Sequence, residues 1–165
     1  MDRKECILLR KHITDREQKE KAIVQKLLPF LKDKKKIGMY IPVCSEVDVY
    51  TGLNKNDFFV PKVVSETEMV FCPCRNLKRG AFGVLEPEGR ESVSPDLLDV
   101  IVIPVVGFHY PYRMGYGKGY YDRYLKKTRA LKIGVAFDCQ ETDFEVHSWD
   151  IPLDIIITET RILEE

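Results

Sequence analysis

The chain has 165 residues, 44% of them hydrophobic, and its 26 basic and 26 acidic residues give a formal net charge of zero. This length supports one domain with a real core and is too short for two, so we expect a single domain over residues 1–165, and a monomer. The neutral balance gives no reason to expect nucleic acid or an anionic membrane as a partner, although it leaves room for one local basic site.

Secretion and membrane insertion are not expected either. No apolar run approaches the about 18 residues of a membrane span, and the N-terminal "MDRKECILLRKHI" lacks the apolar core and cleavage site of a signal peptide. The five cysteines form an odd, scattered set, which argues against a disulfide framework. Cys72 and Cys74 are predicted to be ordinary strand-end residues rather than half a zinc site, because no second ligand pair exists. We therefore expect a cytoplasmic protein.

The first third of the chain is predicted to be helical. "TDRE", from Thr14 to Glu17, has capping-box spacing and predicts a helix start. Apolar residues then recur on one helical face, although Pro29 should bend or end the helix nearby. That face comprises Ile23, Leu27, Phe30 and Leu31.

Short β-rich runs follow residues 32–36. They lie at 37–41, 58–60, 69–72, 100–106, 132–137 and 154–158. "VIVIPVV" and "DIIIT" are nearly continuous β-branched sequence, which is typical of central strands covered on both faces. Tyr121, Tyr124 and Leu125 have helical spacing, so strands and helices alternate. The pattern predicts an α/β domain with a largely parallel sheet.

Residues 76–98 are rich in Gly, Pro, Glu and Ser and show no periodicity. A stretch of this length and composition is expected to be an irregular loop, either functional or mobile.

The segment "RMGYGKGYYDRYL", residues 113–125, follows a predicted buried strand and precedes a predicted helix. It therefore belongs at the carboxyl end of a strand, where open α/β sheets bind ligands. Its three alternate glycines, Gly115, Gly117 and Gly119, allow backbone amides to approach a ligand closely, and Arg113 and Lys118 add positive charge. The combination favours a polyphosphate site, and the alternative is a plain strand-to-helix turn. The segment matches neither the Walker loop nor the dinucleotide fingerprint.

Three neighbouring side chains allow two interpretations each. Asp122 either complements a helix start or holds a magnesium ion that bridges phosphate oxygens. Tyr120 and Tyr121 point in different directions on a helix, so one can pack in the core while the other offers its ring to a flat heterocycle.

This segment closely resembles the signature of the 5-formyltetrahydrofolate cyclo-ligase family, Arg-Leu-Gly-x-Gly-x-Gly-Tyr-Tyr-Asp-Arg. Further blocks look like the family in the right order, and together they cover nearly the whole chain. They are "RKECIL" with "ITDRE", "VPKV", "FGVLEP", "VIVIPVVGF" and "HSWDIPLDIIITE". The resemblance implies a three-layer α/β/α fold and an ATP- and Mg²⁺-dependent cyclisation of 5-formyltetrahydrofolate, with or without a polyglutamate tail, to 5,10-methenyltetrahydrofolate.

The resemblance also implies the site residues. Catalytic roles fall to Arg113, Lys118 and Tyr120. ATP would contact Arg3, Arg113, Met114, Gly115, Tyr116, Gly117, Lys118, Gly119, Tyr120 and Tyr121. The folate would contact Val43, Glu46, Asp48, Tyr116, Gly117, Lys118, Gly119 and Tyr120. Asp48 is the first choice for the carboxylate that faces the pterin edge, and Glu46 is the second. Magnesium would bind Asp122 and Asp154, although a strand-start residue such as Asp154 can equally cap local amides.

Two departures from the family pattern stand out. Arg3 matches the arginine of an N-terminal pair near ATP, but the lysine four residues before it has no counterpart, so its role is lost or taken over by another residue. His109 occupies a position where the family usually has Asp. It is expected to be a surface loop residue, with proton transfer as the alternative. The rival to an active cyclo-ligase is a related module that binds nucleotide or folate without turnover.

Overall fold

The computed structural model describes residues 1–53 and 57–165. The helices in those ranges are α1 (Arg3–Lys11), α2 (Arg16–Leu31) and α3 (Tyr120–Leu125). The strands are β1 (Ile37–Met39), β2 (Phe58–Val63), β3 (Met69–Pro73), β4 (Leu77–Arg79), β5 (Leu85–Pro87), β6 (Val100–Pro104), β7 (Gly107–His109), β8 (Tyr112–Met114), β9 (Leu131–Val135), β10 (Ile155–Ile157) and β11 (Ile162–Leu163).

Seven of the described strands form one sheet in the order β11-β10-β9-β6-β1-β2-β3. The inner strands β10, β9, β6, β1 and β2 run parallel, and the edge strands β11 and β3 pair antiparallel with their neighbours. All six predicted strand runs are strands, so the expected largely parallel sheet is confirmed. The run at 100–106 supplies β6, which is the middle strand and is buried along its whole length.

The sheet is covered on both faces, because successive residues of a strand point to opposite sides. Val100 and Val102 of β6 join the core beneath α2, which contributes Ile23 and Leu27. The alternate β6 residues join a second core beneath α3, to which α3 contributes Tyr124 and Leu125. Burying one such side chain fully stabilises the fold by about 1.5–3 kcal/mol. The predicted three-layer α/β/α arrangement is confirmed.

The predicted capping box at Thr14 is wrong. Helix α2 begins at Arg16, and its N-cap is Asp15, whose φ of 53° is left-handed and whose side chain forms no capping hydrogen bond. The connection from α1 is only four residues long, and Arg16 Nη2 donates to the carbonyl oxygens of Arg10 and Ser45 at 2.6 and 3.2 Å. Tertiary contacts therefore fix the helix start. Pro29 lies two residues before the helix end, as expected.

Residues 76–98 are more regular than the sequence predicts. Strands β4 and β5 form an antiparallel hairpin in which Lys78 pairs with Glu86. Two tertiary contacts attach the hairpin to β2: Glu86 Oε2 accepts from Val63 N at 3.3 Å, and Lys62 Nζ donates to the Glu88 carbonyl at 3.2 Å. Pairing and docking replace the irregular loop suggested by the composition.

The five thiols lie in the described ranges and are unpaired; Cys72 ends up in β3 and Cys74 just beyond it. Among the helices described, none has the length and apolar character needed to cross a membrane.

Candidate active site

The fold places a cavity of about 940 Å³ at the carboxyl edge of the sheet, between β1 and β6. From β1 the chain continues to β2 on one side, whereas from β6 it continues to β9 and β10 on the other. Such a reversal of strand order leaves a crevice beyond the strand ends, where open α/β sheets bind ligands. The volume lies within the range of small-molecule sites. The loops after both strands contribute to its wall, including Val43 after β1 and Val106 after β6.

One wall of the cavity is the glycine-rich segment. Its arginine and methionine lie on β8, residues 115–119 form a loop, and α3 begins at Tyr120. Gly117 and Gly119 have φ values of 94° and 75°, which side chains other than glycine rarely adopt. The structure brings all ten residues predicted for ATP to this wall, including Arg3, whose Nε donates to the Gly115 carbonyl at 2.6 Å. We call this surface the glycine-rich wall.

The Arg113 side chain lines the cavity, and two contacts fix its position. Its Nη1 donates to the Pro104 carbonyl at 3.0 Å, and its guanidinium lies 5.0 Å from the centroid of the Tyr121 ring. Burial lowers the pKa of Arg113, while the nearby carboxylates of Asp122 and Glu46 oppose the shift. Its Nε is buried without a hydrogen-bond partner among the described residues. A buried unpaired donor is costly, so this atom is suited to an anionic ligand.

The two tyrosines of α3 differ in their surroundings. Tyr121 packs under the Arg113 guanidinium, and burial raises the pKa of its hydroxyl. Tyr120 lies toward the hairpin: its ring centroid is 6.4 Å from that of Phe82, and its hydroxyl donates to the Ser65 carbonyl at 3.3 Å. Tyr120 is therefore the one whose ring sits among the aromatic groups at the cavity mouth.

The opposite wall carries a buried carboxylate, and it is Glu46 rather than Asp48. Glu46 is 6% exposed, lines the cavity, and accepts a hydrogen bond from Val43 N at 2.8 Å. The Asp48 carboxylate instead accepts from Thr51 N and Oγ1 at 2.9 and 2.6 Å, and it does not line the cavity. The preference for Asp48 is corrected, because its carboxylate stabilises its own loop. Glu46, Val43 and their neighbours form what we call the carboxylate wall.

The two predicted magnesium ligands are not brought together. Asp122 lines the cavity, and its Oδ1 accepts from Ile151 N at 3.2 Å. Asp154 lies before β10 at the amino edge of the sheet, where its Oδ2 accepts from Lys132 N at 2.8 Å. Asp154 therefore caps a local amide, and its position does not support metal binding. Asp150, which sequence reasoning missed, also lines the cavity, and the amide of the next residue, Ile151, is the donor to Asp122.

The carboxylates of the cavity fit a magnesium ion only if phosphate oxygens and water supply its remaining ligands. Within residues 1–53 and 57–165, no group of three or more His, Cys, Asp or Glu side chains could hold an ion unaided. Magnesium on a nucleotide is normally bound by one or two carboxylates together with phosphate oxygens and water. Asp122 and Asp150 both line the cavity and supply carboxylates of that kind.

Sequence reasoning also missed three further parts of the cavity wall. Arg10, near the end of α1, is completely buried there. Phe82, at the tip of the β4–β5 hairpin, is 67% exposed with a left-handed φ of 59°. Trp149 stacks on His147 with ring centroids 4.5 Å apart. Exposed aromatic residues in a polar segment were the available signal for the last two.

His109 lies outside the cavity, where its Nδ1 is 2.7 Å from an Asp143 carboxylate oxygen.

Fold and cavity define an α/β protein with a ligand site at the switch point of a parallel sheet. The sequence model of the 5-formyltetrahydrofolate cyclo-ligase family matches residues 3–159. The 5-formyltetrahydrofolate cyclo-ligase of Mycoplasma pneumoniae is 36% identical over 152 residues, covering 85% of this chain and 84% of that protein. The cyclo-ligase of Mycoplasma genitalium is 34% identical over 169 residues, with 94% of each chain covered.

The NMR structure of Aquifex aeolicus 5,10-methenyltetrahydrofolate synthetase superimposes with a TM-score of 0.81 at 33% identity, covering 98% of this chain and 90% of that one. The chain belongs to the 5-formyltetrahydrofolate cyclo-ligase family, a family of ligases. The resemblance inferred from the sequence is confirmed.

Proposed function

We propose that this protein converts 5-formyltetrahydrofolate to 5,10-methenyltetrahydrofolate, with cleavage of ATP to ADP and phosphate and with magnesium on the nucleotide. One observation carries the proposal: a single cavity joins a cationic glycine-rich wall to a buried carboxylate wall. The first suits a triphosphate and the second suits the hydrogen-bond donors of a pterin edge. The names of the relatives support this reaction, and the two walls support separate positions for the two substrates.

The glycine-rich wall would bind ATP. Gly117 and Gly119 give the loop its left-handed turns, and the guanidinium groups of Arg3 and Arg123 lie against them. Arg113 adds a third positive charge on the same wall of the cavity. Lys118 adds a mobile point charge; its Nζ lies 5.4 Å from the Phe82 ring centroid, at the cavity mouth. Arg3 holds the loop by its carbonyl contact with Gly115. These groups neutralise charge on the phosphoryl group during transfer.

The carboxylate wall would bind the folate. An ionised Glu46 has two acceptor oxygens, of which one already accepts from Val43 N. The remaining acceptor capacity can take the amino and ring N–H groups of the pterin, and Val43 packs against the ring. Tyr120 lies between the two substrates, at the mouth shared with Phe82.

The reaction needs positioning and charge neutralisation more than it needs a protein nucleophile. The formyl oxygen attacks the γ-phosphorus, and the bond to the ADP oxygen breaks, which leaves an imidate phosphate. The side-arm nitrogen then bonds to the formyl carbon and loses its proton. The carbon–oxygen bond breaks, inorganic phosphate leaves, and the methenyl cation remains. Arg113 and Lys118 lie on the glycine-rich wall, where they would neutralise the negative charge of the phosphoryl group.

Asp122 and Asp150 would hold the magnesium ion together with phosphate oxygens. The ion supplies additional charge neutralisation on the phosphates when bound. Asp122 retains its contact with Ile151 N through Oδ1, which fixes the carboxylate orientation.

Purified protein should generate methenyltetrahydrofolate absorbance from 5-formyltetrahydrofolate only when ATP and magnesium are both present, with ADP formed in equal amount. If calorimetry shows that both substrates bind but no turnover occurs, the alternative of a non-catalytic binding module is favoured. A signal that is independent of nucleotide would remove the phosphoryl-transfer scheme.

The remaining expectations stay predictions of this proposal: one domain, a cytoplasmic monomer, and only small-molecule substrates. Light scattering coupled to size exclusion measures the mass of the particle, and a dimer mass would contradict the monomer.

A further inference from the structure

Arg10 stands out because it is a cation buried with no carboxylate at ion-pairing distance. It is 0% exposed, and in the described ranges no ion pair within 4 Å includes it. A buried charge is costly unless hydrogen bonds and opposite charge compensate it. Three hydrogen bonds compensate Arg10, and one of them reaches Ser45, the residue before Glu46 on the carboxylate wall.

The Arg10 guanidinium ties α1 to three loops at the cavity. Its Nε donates to Ser45 Oγ at 3.0 Å, Nη1 donates to the Val105 carbonyl at 3.1 Å, and Nη2 donates to the Tyr116 hydroxyl at 2.6 Å. Ser45 directly precedes Glu46, and Tyr116 belongs to the glycine-rich loop. The rigid fork of an arginine therefore sets the spacing between the two walls.

The positive charge of Arg10 also favours the ionised form of Glu46. Burial raises the pKa of Glu46, and the shift is opposed by the Val43 amide, by the positive charges of Arg10 and Arg113, and by a hydrogen bond from Tyr116. The charged and titratable groups that face Glu46 are Arg10 from α1, Arg113 from β8, Tyr116 from the glycine-rich loop, Tyr40 from the loop after β1, and Tyr121 from α3. Only the two arginines are cationic among these.

We propose that Arg10 is a positioning residue for the folate substrate: through its hydrogen bonds to Ser45 and Tyr116 it holds the loop that carries Glu46 in a fixed position relative to the glycine-rich loop. The inference rests on the proposed function, since it assigns the pterin edge to Glu46. Arg10 itself need not touch the substrate.

The sign of the pH effect follows from the charge. Glu46 binds the pterin donors when ionised, so affinity for the folate falls as the pH drops through the Glu46 pKa. Removing the positive charge of Arg10 lets burial act with less opposition, so this loss begins at higher pH. Arg10→Gln should therefore raise KM for 5-formyltetrahydrofolate by about tenfold or more at the acidic end of the pH profile, the loss expected for one charged hydrogen bond, with a smaller change at the alkaline end. The kcat at saturating folate and the KM for ATP should change less.

Three companion variants separate charge from packing. Arg10→Lys keeps the charge but loses the fork, so KM should rise evenly across pH. Arg16→Gln is the matched control, because Arg16 also binds this loop through the Ser45 carbonyl but does not act on Glu46. It should leave the pH profile in place. Tyr116→Phe, at a half-exposed position that threatens folding little, should move the profile in the same direction as Arg10→Gln by a smaller amount.

The pH dependence of kcat and KM for each variant decides between the possibilities, with thermal unfolding as the check on folding. A displaced profile in Arg10→Gln and Tyr116→Phe, absent from Arg16→Gln, supports the assignment. Identical profiles in all variants of an active enzyme overturn it, and so does an equal displacement in Arg16→Gln. If Arg10→Gln does not fold, Arg10→Lys and Tyr116→Phe still decide. If the wild-type protein shows no turnover, the proposed function fails instead, and calorimetric affinity for 5-formyltetrahydrofolate across pH tests Arg10 separately.

Discussion

The two walls of the cavity are assembled differently. The glycine-rich wall is almost one continuous stretch, residues 113–123, running from β8 into α3. The carboxylate wall lies in the loop after β1 and is held by a distant part of the chain, since Arg10 of α1 donates to Ser45 beside Glu46. A continuous wall is encoded by local residue order and is therefore readable from sequence. An assembled wall depends on tertiary contacts such as those of Arg10, and its members must be found by structure.

The comparison makes a kinetic prediction: substitutions in the glycine-rich wall should act on ATP and on kcat, and those in the carboxylate wall on the folate. The largest effect is expected at Asp122. Asp122→Ala should abolish magnesium-dependent turnover, a fall in kcat on the order of 10³-fold. The reason is that the magnesium ion, which neutralises charge on the phosphates, would no longer be held. The fold should persist, as measured by thermal unfolding beside the turnover assay.

Asp122→Asn is the matched control for that substitution. Asparagine keeps an oxygen that can accept from Ile151 N and loses only the negative charge. It should therefore be as inactive as Asp122→Ala while being closer to wild type in melting temperature. Full activity in either variant removes Asp122 from the mechanism.

Glu46→Gln should give the next largest effect and should act on the other substrate. We expect KM for 5-formyltetrahydrofolate to rise by about 10- to 100-fold, the cost of losing one or two charged hydrogen bonds, while KM for ATP stays within about twofold. Steady-state kinetics with each substrate varied in turn measures both values.

Asp48→Asn is the control for Glu46→Gln, because the Asp48 carboxylate accepts hydrogen bonds from Thr51 within its own loop. It should leave both KM values close to wild type. If Asp48→Asn damages folate binding more than Glu46→Gln does, the assignment of the pterin carboxylate must be reversed.

Gly119→Ala should have a smaller effect, on ATP. At φ of 75° an added Cβ is strained, and it would lie 2.6 Å from Arg123 Nη1, which must then move. Strain of this kind costs about 1–3 kcal/mol, so KM for ATP should rise roughly tenfold. Gly89→Ala is the control, since nothing lies within 4 Å of a Cβ added there and its φ is not left-handed. Equal ATP kinetics in the two variants would show that the loop conformation does not matter.

The smallest effect on turnover is expected at Asp154. Asp154→Ala should retain activity within about twofold and lose about 1 kcal/mol of stability, because it removes the acceptor for Lys132 N. Chemical denaturation measures the stability, and the turnover assay at limiting magnesium measures the rest. Loss of activity that is recovered by high magnesium would restore Asp154 as a metal ligand.

Sequence patterns predicted most of the fold, because strands that are buried on both faces are nearly continuous in apolar, β-branched residues. The β-branched run that became β6 is the clearest example. The failures share one cause. The start of α2 is fixed by Arg16 contacts 6 and 29 residues away along the chain, which outweigh the local capping pattern at Thr14.

The candidate site divides in the same way. Arg113, Lys118 and Asp122 could be found because they stand beside the glycines they act with. The choice between Glu46 and Asp48 could not be made from the sequence, because two residues apart in one loop they differ only in which way the folded chain turns them. Asp154 fits a motif but lies at the amino edge of the sheet, and only strand direction reveals that.

The stacking of Trp149 on His147 has a practical consequence. The chain contains one tryptophan, and that residue is 56% exposed on the wall of the cavity. The protein therefore carries a built-in optical probe at its candidate active site, free of background from other indoles. A ligand that enters beside this pair changes the polarity around the indole, so the emission spectrum of the unmodified protein should follow the occupancy of the cavity directly, in equilibrium titrations and in stopped-flow traces.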